Sequence, residues 1–164
     1  MAALTKLEAK LAEVTGLAMA AQDVTRLVRG MLGPEHEALA KKLAQARAEA
    51  RETQKRCIEV AGSFDGKKTA ILEKAREVKQ EATEMREAYL AGEDDPLDGF
   101  EFLTMAEAGE VGHWAIVEKL NERAGHGEVR ALAAWALPIQ ERHLQEALDG
   151  SLKVAADEDP NEQE

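Results

Sequence analysis

Two histidines carry the chemistry that this sequence offers. His113 follows Glu110 by three positions, and His143 follows Gln140 by three, with Glu141 between them. Residues three apart share one face of a helix. Imidazole and carboxylate together suit iron, manganese or zinc, so Glu110, His113, Glu141 and His143 are candidate metal ligands, with Gln140 nearby. Glu110 and His113 could also do acid–base work in an apolar cleft. The stretch Phe100 to Ala124 has a helical seam of Leu103, Ala106, Glu110, His113, Val117 and Leu120. A carboxylate buried in such a row needs a charged or metallic partner. The seam places His113 inside, facing Gln140 to Leu144. Gly109 and Gly112 flank the pair at a cost of about 1 kcal/mol each relative to alanine, which implies a close neighbour or a local bulge there.

Other chemistries find little support. Ser63 and Ser151 are the only serines and neither sits in a nucleophile motif. There is no phosphate-binding glycine loop and no CxxC. Cys57 is the single cysteine, read as a small buried hydrophobe. The acidic loop Ala91 to Gly99 lacks EF-hand spacing, so it reads as a solvated linker favouring the N-terminus of the next helix. His36 reads as a surface residue and His126 as part of a turn. Glu8, Glu13 and Asp23 read as solvated groups on an outer face.

These residues must be held by helices. Apolar periodicity predicts a first helix from about Ala3 to Met31 on the seam Leu4, Leu7, Leu11, Val14, Ala18, Ala21, Thr25, Val28. A second, Pro34 to Val60, uses His36, Leu39, Leu43, Ala46, Ala50, Thr53, Cys57 and Val60. Gln45 and Glu49 lie beside that row rather than in it. A third, Lys67 to Leu90, follows Ile71, Ala75, Val78, Ala82, Met85 and Tyr89. The fourth is Phe100 to Ala124. The fifth, Glu128 to Val154, contains Pro138, which predicts a kink or a widened turn. Residues 155–164 are acidic without apolar period and read as a disordered tail to a 1–154 bundle.

Charged residues make up 32 % of the 164 residues and aromatics 4 %, a helical-bundle composition. The formal net charge of −11 argues against nucleic acid and anionic membrane surfaces as partners. With no signal-peptide pattern and no apolar run of the 18 or more residues that suggest a membrane span, the chain reads as cytoplasmic. A homo-oligomer is compatible with the sequence, with Trp114 and Trp135 as anchors or gap-fillers; a protein partner is not identified.

The order of elements, with the patches from Glu110 to Ile116 and from Leu137 to His143, resembles the ferritin-like superfamily, in particular its small bacterial stress-associated branch. That resemblance covers roughly residues 3–152. It implies an all-α, antiparallel bundle of about five helices with a ferritin-like four-helix core. Ferritin-like di-iron sites take one glutamate from each of two helices and Glu-x-x-His from each of the other two. Here Glu110 and His113 match one such motif, Gln140 and His143 only partly match the second, and Gln45 stands roughly where an acid is wanted. The expectation is a non-catalytic, structural or interaction bundle with a relict polar cluster and no cofactor. The alternative is a reduced iron, manganese or zinc site from the last two helices.

Overall fold

A computed structural model describes residues 2–163 and shows an all-α, antiparallel bundle. The helices are α1 (Lys6–Met31), α2 (Glu37–Ala61), α3 (Lys68–Leu90), α4 (Pro96–Ala124) and α5 (Gly127–Ala155), with a 3-10 turn, Pro34–His36, ahead of α2. Several boundaries have a local cause. Thr5 and Glu8 form a capping box at the start of α1. Asp95 caps α4 through the Leu97 amide and Pro96 occupies the first turn, so α4 begins a turn earlier than the apolar period indicates. Gly125, in the left-handed conformation, ends α4, and His126 Nδ1 accepts from the Val129 amide to start α5. Helix α5 runs through Pro138 without interruption.

Helix α1 packs along α2, α3 and α4, while α5 packs along α4 and, less extensively, α2. Four helices thus form a ring in the order α1, α2, α5, α4, and α3 is laid outside it on α1. Small residues permit this closeness. A Cβ at Gly16 would strike Ala75 and Val78 of α3, and one at Gly150 of α5 would enter the Phe100 ring of α4.

The core is split in two. Leu11, Val14, Cys57, Ile71, Trp114, Val117 and Val129 fill one end. Val28, Leu39, Leu43, Phe100, Leu103 and Ala147 fill the other. Full burial of side chains such as Trp114 and Phe100 stabilises by roughly 2–3 kcal/mol each. Polar side chains of α2, α4 and α5 lie between the two halves.

Several expectations change. Helix α4 is turned about one residue from the expected seam: its buried row is Leu103, Glu107, Glu110, Trp114, Val117 and Asn121. His113 is half-buried and contacts α1 rather than α5. The reason is volume, because Trp114 carries far more apolar surface than His113 and takes the interior place. Gly109 and Gly112 have open space where a Cβ would stand, so no close neighbour accounts for them. Along α3 the seam is buried only as far as Val78; Met85 and Tyr89 are 54 % and 62 % exposed. Glu8 is buried because it folds back onto the Thr5 amide at 2.6 Å. His36 is buried too, with Nε2 3.5 Å from Asp157 Oδ2. Residues 157–163 are exposed turns, and Glu164 of the expected tail, like Met1, lies outside the described residues.

Candidate functional site

The polar layer is built from three helices. Glu107 on α4 accepts a hydrogen bond from the Gln140 amide on α5. His143, one turn beyond Gln140, lies between two carboxylates: its Nδ1 is 3.9 Å from Glu107 and its Nε2 is 3.7 Å from Glu49 of α2. Arg142 pairs with Glu49 and also reaches Glu146 at 3.6 Å. Beside Glu107 and His143 the packing leaves about 10 Å³, room for little more than a water molecule.

Burial decides the charge state of this layer. Desolvation, opposed by the Gln140 hydrogen bond and assisted by Glu146, pushes the Glu107 carboxyl up to about 8. Desolvation and then Glu107 hold Glu110 well above the usual carboxylate range. Burial lowers His143, with the Arg142 charge adding to that effect and Glu49 opposing it. The interior near neutral pH is therefore a set of mostly uncharged groups, and the full charges sit at the Glu49–Arg142 edge. Cys57, in the neighbouring half of the core, is pushed up to about 12 by the same desolvation, so its thiol is inert.

The structure separates the four residues expected to act together. Glu110 is buried, and His143 is buried against Glu107 and Glu49. His113 Nδ1 instead lies 3.1 Å from Glu13 of α1. Glu141 is exposed on the outer face of α5. Gln140 is in the layer, bonded to Glu107. Among the described residues no group of three or more His, Cys, Asp or Glu side chains is placed to hold an ion. The expected donor set thus does not fit an iron, manganese or zinc centre.

Two participants escaped the sequence reading. Glu107 follows Leu103 by four, and a row stepping four, three, four, three from Leu103 finds Glu107, Glu110 and Trp114 together. Glu49 lies beside the buried row of α2, and its side chain reaches inward to the α5 groups, whereas Gln45 is exposed.

A second feature lies on the adjacent flank of α4, with Glu110 common to both. Because α3 and α4 both pack on α1 but barely on each other, they leave a cleft of about 480 Å³. Leu17 and Val24 form part of its floor, Met85, Phe102 and Met105 its walls, and Glu110 also lines it. Clefts of this size and apolar character are the usual form of small-molecule sites.

No protein-family model matches the chain, and comparisons with curated proteins and with solved structures gave no match.

Proposed function

We propose that this chain is a non-catalytic ferritin-like bundle acting as a structural or interaction protein. Its polar layer serves to hold α2, α4 and α5 in register. The observation that carries the reading is that the mid-height polar groups engage one another: Gln140 binds Glu107, and Arg142 binds Glu49. The gap beside them has no room for a substrate. The ring order α1, α2, α5, α4, with α3 in the crossover, supports the ferritin-like comparison. The stress association rests on that resemblance alone.

The alternative, a reduced metal site, is tested together with this reading. Purified without an affinity tag or chelator, wild type and His143→Ala are heated with and without iron(II), manganese(II) or zinc(II). A structural layer predicts that His143→Ala lowers the thermal midpoint and that no ion raises wild type more than the variant. A rise in wild type alone overturns the proposal, because only binding to the native state shifts that equilibrium.

A further inference from the structure

We propose that the cleft between α1, α3 and α4 binds a hydrophobic organic cation, an amine whose ammonium group seats on Glu110 and whose apolar body lies between Met85 and Met105. Three observations lead there. The cleft is large and mainly apolar. Glu110 is 5 % exposed and lines the cleft, and burial makes its charged form costly unless a counter-charge meets it. The third is the arrangement of charge around it. Lys10 on the rim is held by Glu13 at 2.7 Å and Lys74 by Glu77 at 3.2 Å, while His113 also turns to Glu13. Arg86 stands 3.8 Å from Glu87. The rim cations thus have carboxylates of their own, and the carboxyl in the cleft lacks a cation. Without a cation, burial keeps Glu110 protonated. An ammonium group seated on it stabilises the carboxylate, the proton leaves to solvent, and the net charge of −11 favours the cation's approach. A fatty-acid anion of the same length would set a second carboxylate against Glu110, and an alcohol would give a hydrogen bond without the charge.

The test uses octylamine, octanol and octanoate, which share one chain length and differ in head group. Binding to the full-length protein is measured by calorimetry, and the methionine methyl signals are followed by NMR. Octylamine is expected to bind about tenfold or more tighter than octanol, with octanoate weakest. It should move Met85 and Met105 while leaving Met19 and Met31, outside the cleft, in place. Glu110→Gln should bring octylamine to the octanol level without altering octanol, and Glu81→Gln on the rim should change little. Equal affinities for the three probes, binding unaltered in Glu110→Gln, or shifts scattered over all the methionines would overturn the proposal. So would no binding of octylamine. The wild-type methyl shifts decide the matter even where Glu110→Gln fails to fold. Glu110 belongs to both the cleft and the polar layer, but the two tests are separable, since His143→Ala changes no residue that lines the cleft.

Discussion

Gln140 of α5 donates a hydrogen bond to Glu107 of α4, and both side chains are buried. This contact joins the two helices at mid-height, between two apolar clusters that would otherwise meet. A carboxamide is a suitable partner there because it adds no charge to the interior, and its N–H satisfies an acid whether or not that acid carries a proton.

The first prediction concerns pH. A carboxyl raised in the folded state favours the protonated form, so its contribution is complete below the unfolded value near 4.5 and is lost as pH rises through about 8. Glu110 acts in the same sense. His143, lowered in the folded state, contributes above its unfolded value near 6.5 and loses that contribution as pH falls. Unfolding free energy should therefore decline toward pH 8, with a slope of up to about 1.4 kcal/mol per pH unit for each carboxyl. Glu107→Gln should flatten that decline, as measured by urea denaturation from pH 5 to 9. An unchanged slope would show that Glu107 titrates normally.

The two histidines should behave oppositely to the plain sequence pattern. His143→Ala removes a buried ring from between Glu49 and Glu107 and should cost about 2–4 kcal/mol. His113→Ala, whose side chain is 37 % exposed beside Glu13, should cost less than about 1 kcal/mol. Thermal midpoints of the two variants, compared at one pH, decide between these rankings.

Glycine substitutions should divide by location. Gly150→Ala puts a methyl into the fully buried Phe100 ring and should destabilise by about 1–3 kcal/mol. Gly112→Ala meets open space on a helix and should stabilise by roughly 0.5–1 kcal/mol. Denaturant midpoints would expose the opposite outcome directly.

Cys57 should not react with a disulfide reagent at pH 8 until the chain opens, since its thiol is buried and raised to about 12. Labelling should then track unfolding, with a rate that rises with urea. Rapid, stoichiometric labelling of native protein would show that the α1–α2 interior is accessible.

Helix number, order and most boundaries were legible in the sequence because apolar spacing is a local property of the chain. The seams of α1 and α2 are buried almost as read, from Leu7 to Val28 and from Leu39 to Cys57. The site was less legible. From Leu103 the rows through Ala106 and through Glu107 both satisfy helical spacing, and only the competition between Trp114 and His113 for interior volume selects one. Glu49 reaches the layer from beside its row by the length of its side chain, which spacing alone does not register. The open end of the α3 seam has a similar origin. Met85 and Tyr89 are apolar in pattern, yet α3 stands outside the ring and has only α1 to cover it along most of its length.

The polar layer also alters how this acidic chain presents itself to its surroundings. A formal count of −11 treats every carboxylate as ionised. Glu107 and Glu110, enclosed between helices, withhold most of their share near neutral pH. The native molecule is therefore expected to migrate in an electric field as a weaker anion than its composition indicates, and to gain negative charge near neutral pH when it unfolds in urea. Opening the bundle would release those two charges to the exterior together, adding self-repulsion at the moment the helices part.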